Sequence, residues 1–418
     1  MNEIELLIIA DDFTGALDTG VQYAAKGIPT RVITDPNTDL SRDWNGIKVL
    51  VMDAETRHLS PEQAYNIVYQ IAEQAMKVGI VNLYKKTDSA LRGNIGAELT
   101  AIKKATGCRI LPFLPAFPQI GRTTRGGVHY IGDLPVAESV FGQDPFEPVT
   151  RSEVAALISE QSSEPVTSLR PDEKVFPESG ILVFDAETED DLRRTGRYLQ
   201  EAGFLRVCCG CAGFGAVEQE LLGLSGGMIQ ETPRMLPGFV VVCGSVNPIT
   251  QRQLNAAEQA GFARLTMDCA EKLTPGYFMT EAGREKIASW RKVFKENSCR
   301  IIDANDVPGG EKTKEWAAER GISIDGIRIG ISQALGDIVL QIIDWPEVGT
   351  LLITGGDTLL ACMKRIGISE LDPLTELFPG VVLSRFMWHG EEHHIISKSG
   401  GFGEETLFSD IARQMAGI

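Results

Sequence analysis

The sequence predicts an α/β fold with two domains, each built on a mostly parallel β-sheet flanked by helices. Apolar segments of strand length alternate with helical segments along nearly the whole chain, which is typical of βαβ units. The chain also has 418 residues, more than one hydrophobic core usually supports. We therefore expect two successive α/β domains.

The first half contains well-marked strands and helices. Its predicted strands are 5–10, 30–34, 47–52, 81–85, 109–114, 181–184 and 205–209. A helix that runs to Gly79 follows Ser60-Pro61-Glu62-Gln63, which supplies an N-cap, a proline at the first helical position and a capping-box glutamine. Further helices are predicted at 189–202 and 214–222. The Gly- and Pro-rich stretch 122–148 lacks periodicity, and we predict a long functional loop there.

A segment rich in glycine and proline separates the two halves. Because 225–238 has no helical or strand period, it is predicted to be a linker between domains at 1–224 and 239–418. The predicted strands of the second domain are 239–243, 300–302, 350–353 and 381–384. Its predicted helices are 248–260, 281–296, 331–343 and 358–366.

Composition excludes several classes of protein. A net charge of −17 disfavours nucleic acid as a partner, because the phosphates would be repelled. No apolar run approaches the roughly 20 residues that span a bilayer. The first residues carry Glu3 and Glu5 rather than a basic segment, so we expect a cytoplasmic protein without a secretory signal.

The eight cysteines do not form a recognisable metal site. Most lie in apolar segments, as reduced thiols do. The cluster Cys208-Cys209-Gly210-Cys211 lacks a second ligand pair at zinc spacing, so a structural metal is disfavoured and metal ligands stay unknown. An anionic small molecule would need local groups of Lys, Arg and backbone N–H to overcome the overall negative charge.

The end of the first strand carries two adjacent carboxylates. In open α/β sheets, ligands bind beyond the carboxyl ends of the strands, and Asp11 and Asp12 occupy that position before a predicted helix. They could bind a cation, accept a hydroxyl proton or hold substrate hydroxyls. The alternative is that one of them only caps the helix. We favour a functional role, because a cap does not require two carboxylates.

A second group of charges follows the strand at 81–85. Lys86, Asp88, Ser89 and Arg92 combine cations, an acid and a hydroxyl within a few residues, which suits a carboxylate and polyol site. Arg57, after the strand near Asp53, is a further candidate. A solvated charged turn is the alternative.

Two glycine-bearing turns mark the second domain. Ser245 opens a helix after one strand, and Thr354-Gly355-Gly356-Asp357-Thr358 follows another. Glycines allow close backbone approach, a helix N-terminus attracts phosphate, and Asp357 could position Mg²⁺ or water. Glycine turns are also common strand exits. With Gly400 and Gly401 near the end of the chain, a nucleotide site is favoured. Neither a GxxxxGK[ST] pattern nor a GxGxxG after the first strand of either half occurs.

These motifs, in this order, resemble the four-carbon acid sugar kinase family, whose members have an N-terminal sugar-binding and a C-terminal nucleotide-binding domain. The resemblance spans nearly the whole chain. It rests on Ala10-Asp11-Asp12-Phe13-Thr14-Gly15-Ala16, Lys86-Thr87-Asp88-Ser89-Ala90-Leu91-Arg92-Gly93-Asn94, Gly244-Ser245, Thr354-Gly355-Gly356-Asp357-Thr358 and Lys398-Ser399-Gly400-Gly401-Phe402-Gly403. Family members phosphorylate the terminal hydroxyl of threonate, erythronate or oxo-tetronates with ATP.

The resemblance implies roles for the candidate residues. The acid-sugar site would be lined by Asp11, Asp12, Arg57, Lys86, Asp88, Ser89 and Arg92, and the nucleotide site by Ser245, Gly355, Gly356, Asp357, Thr358, Gly400 and Gly401. Arg92 and Lys86 would hold the substrate carboxylate, and Mg²⁺ and the glycine turns would hold the ATP phosphates. Asp12 is the first choice for the catalytic base, and Asp357 is the alternative.

Two other functional classes remain open from the sequence. An ATP-dependent ligase or synthetase acting on a small hydroxy acid would use the same nucleotide domain. A non-catalytic sensor would bind a sugar acid without turnover. A homodimer is a possible assembly.

Overall fold

The computed structural model describes residues 3–144, 147–171, 173, 177–224, 226–227, 236–306 and 311–416. The chain divides into two compact units, Met1–Gln230 and Glu231–Ile418. Each is an α/β structure with helices around a mostly parallel sheet, so the predicted fold class is confirmed. Most of the predicted linker, at 225 and 228–235, lies outside the described residues, and its exact limits stay a prediction.

The N-terminal unit is built on parallel strands. Its strands are β1 (Leu6–Ala10), β2 (Thr30–Ile33), β3 (Val49–Asp53), β4 (Leu83–Lys86), β5 (Ile110–Leu114), β6 (Arg122–Arg125), β7 (Val128–Ile131), β8 (Leu134–Pro135), β9 (Val166–Leu169), β10 (Gly180–Phe184) and β11 (Val207–Gly210). The main sheet has the order β2-β3-β1-β4-β11-β5-β10-β9, and all of these pairings are parallel. The strands predicted from the sequence are confirmed, with ends shifted by one or two residues.

The helices of this unit cover the two faces of the sheet. They are α1 (Phe13–Ala24), α2 (Pro61–Lys77), α3 (Ile95–Thr106), α4 (Val154–Ser159), α5 (Glu189–Glu201) and α6 (Ala212–Leu221). Helices α1, α5 and α6 pack together, and α2, α3 and α4 form a second group. The predicted capping box is present, since Ser60 and Gln63 exchange hydrogen bonds at the start of α2.

The stretch 122–148 is more regular than the sequence indicated. Strands β6, β7 and β8 form a separate three-stranded sheet, antiparallel throughout. The prediction of a long irregular loop was therefore wrong for the first half of this stretch. The glycines mark tight turns instead, because Gly126, Gly127 and Gly132 have φ of 57°, 77° and 60°, a conformation that favours glycine. We call Arg122–Pro135 the hairpin insert.

The C-terminal unit has a mixed sheet. Its strands are β12 (Phe239–Cys243), β13 (Ala263–Thr266), β14 (Cys299–Asp303), β15 (Thr350–Thr354), β16 (Glu370–Phe378), β17 (Val381–Trp388) and β18 (Glu391–Lys398), in the order β13-β14-β12-β15-β18-β17-β16. Strand β17 is antiparallel to both of its neighbours, and the other pairings are parallel. Strands β13, β16 and β18 were not predicted, because they carry many polar, partly exposed residues.

The helices of the C-terminal unit are α7 (Pro248–Gln259), α8 (Cys269–Leu273), α9 (Glu281–Glu296), α10 (Lys312–Ala318), α11 (Ile324–Ile342), α12 (Gly356–Arg365) and α13 (Leu407–Ala416). Helix α11 begins earlier than the predicted residue 331. Ser323 caps it by accepting a hydrogen bond from Gly326 N, and its glycine-containing first half lowered the helical signal. Among the described residues, no helix is both long and apolar enough to cross a bilayer.

Candidate functional site

Three neighbouring strand ends assemble the charged residues of the N-terminal unit. Strand β1 lies between β3 and β4, and all three run parallel. Their carboxyl ends therefore meet at one edge of the sheet. Asp11 and Asp12 follow β1, Arg57 lies shortly after β3, and Lys86 ends β4.

These residues form a buried ion-pair network. Arg57 Nη2 lies 2.7 Å from Asp11 Oδ2 and 2.6 Å from Asp12 Oδ1. Lys86 Nζ lies 3.2 Å from an oxygen of each aspartate. Burial opposes the ionisation of Asp12, but the two cations outweigh it and hold its pKa well below the ordinary value. Asp12 is therefore an ionised carboxylate at neutral pH.

Asp12 also caps helix α1. Its Oδ1 accepts a hydrogen bond from Gly15 N at 3.2 Å, and its Oδ2 accepts one from Thr14 Oγ1 at 2.8 Å. The two interpretations of the Asp11-Asp12 pair thus apply together. Asp12 is a cap and a member of the charged network, whereas Asp11 is held by Arg57 and Lys86.

Asp88 and Arg92 extend the network after β4. Arg92 Nε and Nη2 donate to the two oxygens of Asp88 at 2.9 and 3.0 Å, and Arg92 Nη1 lies 3.3 Å from Asp144 Oδ2. Lys86 and Asp88 are each 5% exposed, so the alternative of a solvated charged turn was wrong. Asp144 was not predicted from the sequence.

Ser89 contacts the hairpin insert. Arg122 Nη1 donates to Ser89 Oγ, and His129 Nε2 lies 2.9 Å from the Ser89 carbonyl oxygen. The guanidinium groups of Arg92 and Arg122 lie 5.1 and 5.0 Å from the centre of the Phe141 ring. Arg122, His129 and Phe141 were missed by the sequence analysis. The glycine- and proline-rich stretch 122–148 was predicted to be functional, but no individual residue in it was named.

The predicted residues of the C-terminal unit also come together. Strand β15 pairs with β12 and β18, so the turns that follow these strands are neighbours. A Cβ added to Gly400 would lie 3.1 Å from Ser245 Oγ, and one added to Gly355 would lie 3.8 Å from Ser245 Cβ. A Cβ on Gly244 would lie 2.2 Å from Thr358 Oγ1. A side chain at position 244 would therefore force one of these turns to move, whereas a Cβ at position 400 would make a tight contact and one at position 355 an ordinary contact.

Two helices begin at this edge of the sheet. Helix α7 is capped by Asn247, and α12 begins at Gly356 after Gly355, whose φ is 98°. A Cβ on Gly401 would lie 3.8 Å from Asn247 Nδ2, so the last glycine turn lies beside the start of α7. Free N–H groups and the helix dipoles favour an anion at such a position. The turns have the small side chains and backbone donors that fit nucleotide phosphates.

Lys398 and Asn305 support these turns. Lys398 was named only as part of the motif from Lys398 to Gly403, with no role of its own, and Asn305 was not predicted. Lys398 Nζ donates to the carbonyl oxygens of Ser399 and Gly400 at 3.0 and 3.2 Å. Burial lowers the pKa of Lys398 to about 8. Asn305 Nδ2 donates to the Ser245 carbonyl oxygen at 3.2 Å, which holds the turn after β12.

Asp357 lies in the first turn of α12, and its Oδ2 is 3.0 Å from Arg328 Nη1. The described residues contain no group of three or more His, Cys, Asp or Glu side chains that could hold a metal. Mg²⁺ in phosphoryl-transfer sites is commonly held by one or two carboxylates together with the substrate phosphates. Asp357 fits that role, because it lies beside the turns that suit phosphates.

Comparison with known proteins agrees with this two-part organisation. Residues 6–217 match the model of a sugar-binding N-terminal domain, and residues 240–408 match that of a nucleotide-binding C-terminal domain. A D-threonate kinase of Salmonella typhimurium is 30% identical over 97% of both chains. A D-erythronate kinase of Heliobacterium modesticaldum is 28% identical over 95% of this chain and 94% of its own. A 3-oxo-tetronate kinase of Methylobacterium radiotolerans is 25% identical over 98% of both.

Solved structures share the fold. A protein of Salmonella typhimurium LT2 superposes with a TM-score of 0.78 at 22% identity, covering 98% of this chain and 99% of its own. Haemophilus influenzae protein HI1011 has a TM-score of 0.69 at 20% identity, with the same coverage. The two domain models together match most of this chain, and the three kinases named above align with nearly all of it. The chain therefore belongs to the family of four-carbon acid sugar kinases.

Proposed function

We propose that this protein is an ATP-dependent kinase that phosphorylates the terminal hydroxyl of a four-carbon sugar acid such as threonate, erythronate or 3-oxo-tetronate. The observation that carries the proposal is the buried network at the ends of β1, β3 and β4. A polyhydroxy acid offers hydroxyl groups to carboxylates and a carboxylate to cations, and this network holds both kinds of partner. The names of the related kinases support the same substrate class.

The charged network would bind and orient the sugar acid. Ionised carboxylates act only as acceptors, so Asp11, Asp12 and Asp88 suit substrate hydroxyls. Arg57, Lys86 and Arg92 hold these carboxylates in place. Asp12 is the proposed base, because its ionised form can accept the hydroxyl proton as the phosphoryl group is transferred.

The glycine turns of the C-terminal unit would bind ATP. Their N–H groups and the starts of α7 and α12 would hold the phosphates, with Ser245, Thr358, Gly400 and Gly401 at the contact. Asp357 would hold Mg²⁺, which neutralises charge on the phosphates when it is bound.

The proposal also includes a cytoplasmic location and a homodimer. Sedimentation of the purified protein tests whether it is a dimer.

The proposal is tested by ADP release in the presence of C4 to C6 sugar acids, with Mg²⁺ and ATP. We expect turnover with a four-carbon acid and a product that carries phosphate on its terminal hydroxyl, identified by ³¹P–¹H NMR. ADP release that requires a second nucleophile would indicate a ligase instead. Binding of the acid without ADP release would indicate a sensor.

A further inference from the structure

We propose that Gln253 and Thr250, two buried side chains of helix α7, are positioning residues that hold residues 399–404 in the conformation that binds the phosphates of ATP. We call residues 399–404 the terminal turn. This inference rests on the proposed function and deepens it, because it gives the two side chains a part in nucleotide affinity without direct contact to the nucleotide. Both lie outside the motifs on which the family resemblance rests.

The side-chain amide of Gln253 holds three consecutive peptide groups of the terminal turn. Its Nε2 donates to the carbonyl oxygens of Phe402, Gly403 and Glu404 at 3.0, 2.9 and 2.9 Å. Gln253 is fully buried, so water does not compete for these carbonyls on the side of the helix. One side chain therefore fixes a stretch of irregular backbone that no sheet or helix ladder supports.

Thr250 holds the same turn nearer to its beginning. It precedes Gln253 by three positions and therefore lies on the same face of α7. Thr250 is also fully buried, and its Oγ1 donates to the Gly400 carbonyl oxygen at 2.9 Å. With Lys398, which donates to the carbonyl oxygens of Ser399 and Gly400, the two α7 side chains hold the carbonyl oxygens of most residues of the terminal turn.

The amide nitrogens of the turn are placed to receive an anion. Within the part of the chain that the structure describes, neither Gly400 N nor Gly401 N donates a hydrogen bond. The two glycines lie beside Ser245 and Asn247, at the start of α7. Successive backbone N–H groups in such a turn form a concave anion site, and a phosphate would supply the acceptor that they need.

This arrangement affects affinity because the turn is rich in glycine. Glycine has more backbone freedom than any other residue, and a segment that is ordered only when the ligand arrives weakens binding by the entropy it loses. Gly403 has a φ of 86°, and a Cβ at this position would lie 3.1 Å from Gln253 Nε2. The bonds from α7 thus order the turn before ATP binds.

The alternative is that these bonds only stabilise the C-terminal unit. Thr350 offers a matched control for that role. It is fully buried, and its Oγ1 donates to the Leu236 carbonyl oxygen at 3.0 Å, so Thr350→Val removes the same kind of bond as Thr250→Val. Thr350 begins β15, whereas the glycine turns follow the carboxyl ends of β12, β15 and β18.

The test measures the KM for ATP and for the sugar acid, and the calorimetric Kd for ADP with Mg²⁺, in full-length variants. Gln253→Met keeps the side-chain length but removes the donor. We expect its KM for ATP and its Kd for ADP to rise by about tenfold or more, the size of losing a hydrogen bond to a charged group. The KM for the sugar acid should stay within about threefold. Gln259→Met, at an exposed position of α7, should resemble the wild type.

The threonine variants decide the question if Gln253→Met is unfolded at the assay temperature, which thermal unfolding shows. Thr250→Val and Thr350→Val should lose similar thermal stability, but only Thr250→Val should weaken ATP and ADP binding, by about threefold or more. Thr250→Ser keeps the hydroxyl and should retain the wild-type affinity.

The inference is overturned if folded Gln253→Met keeps the wild-type KM for ATP, or if Thr250→Val and Thr350→Val bind ADP equally well. Failure of the wild type to phosphorylate any four-carbon acid is a different result. It would reject the proposed function, whereas the Kd values for ADP would still show whether α7 positions the terminal turn.

Discussion

Lys398 Nζ lies 3.2 Å from Thr250 Oγ1, beneath the glycine turn that ends β18. The lysine is fully buried, and its described hydrogen bonds go to neutral oxygens. A buried ammonium in these surroundings favours a nearby anion, and the candidate phosphate site lies next to it.

ATP affinity should therefore weaken as the pH rises through about 8, the pKa to which burial lowers Lys398. The lysine is charged below this pH and neutral above it, so the KM for ATP should rise several-fold between pH 7 and pH 9.5. The thiolate of Cys243 would favour the charged lysine, but burial raises the pKa of Cys243 to about 12, so this thiol stays protonated. Steady-state kinetics at saturating sugar acid measures the effect.

Lys398→Met should have a raised KM for ATP that no longer changes with pH. Lys364→Met removes an exposed lysine of α12 and should preserve the wild-type profile. A wild-type KM for ATP that is constant from pH 7 to pH 9.5 would contradict the role of Lys398.

The choice of base can be tested by paired substitutions. Asp12→Asn keeps the helix cap, since asparagine caps as well as aspartate, but it removes the proton acceptor. We expect kcat to fall by about 10²-fold or more. The change also removes a carboxylate that pairs with Arg57 and Lys86, so thermal unfolding is measured beside kcat to show that the variant is folded at the assay temperature. Exposed Asp43→Asn is the control. If Asp357→Asn is the more damaging change and Asp12→Asn is nearly silent, the two assignments must be exchanged.

The close approach of Gly244 to Thr358 predicts a specific defect. In Gly244→Ala the new Cβ would lie 2.2 Å from Thr358 Oγ1, so one of the two turns must move. We expect the KM for ATP to rise by about tenfold or more, whereas the affinity for the sugar acid stays unchanged. Adding Thr358→Ala removes the clashing atom and should restore part of the ATP affinity. Equal losses for both substrates would point to misfolding rather than to a local displacement.

A buried glutamate predicts how stability depends on pH. Glu218 is fully buried and accepts hydrogen bonds from Tyr23 Oη and Cys208 Sγ, both at 2.9 Å. Burial raises its pKa from 4.5 to about 7. Between these values the folded chain keeps a proton that the unfolded chain releases. Glu218 should therefore lower the free energy of unfolding by up to about 3 kcal/mol as the pH rises from 4.5 to 7.

Urea unfolding at pH 5 and pH 8 measures this contribution. Glu218→Gln cannot ionise, so it should lose less stability than the wild type between the two pH values. Glu220→Gln, exposed on the same helix, should behave like the wild type. The prediction is wrong if Glu218→Gln and the wild type show the same pH dependence.

The strands that carry the site were predictable because their signal is local. Leu6–Ala10 and Val49–Asp53 are buried throughout, and strands that are covered on both faces are mostly apolar. Asp11, Asp12 and Asp88 stood out as the first acids after such runs. Strands β16 and β18 are partly exposed and contain many polar residues, so no apolar run marked them in the sequence and they were missed.

What each charged residue contacts depended on the order of the strands. Placing β1 between β3 and β4 brings Arg57 to Asp11, 46 positions earlier in the chain, and the hairpin insert brings Arg122 to Ser89 across 33 positions. No local period encodes such contacts, because they follow from how the whole unit packs. The sequence by itself determined the α/β class and the polar residues that follow the ends of the strands. Only the tertiary structure decided which carboxylate pairs with which cation, because an ion pair depends on the distance between two charges in space and not on their separation along the chain.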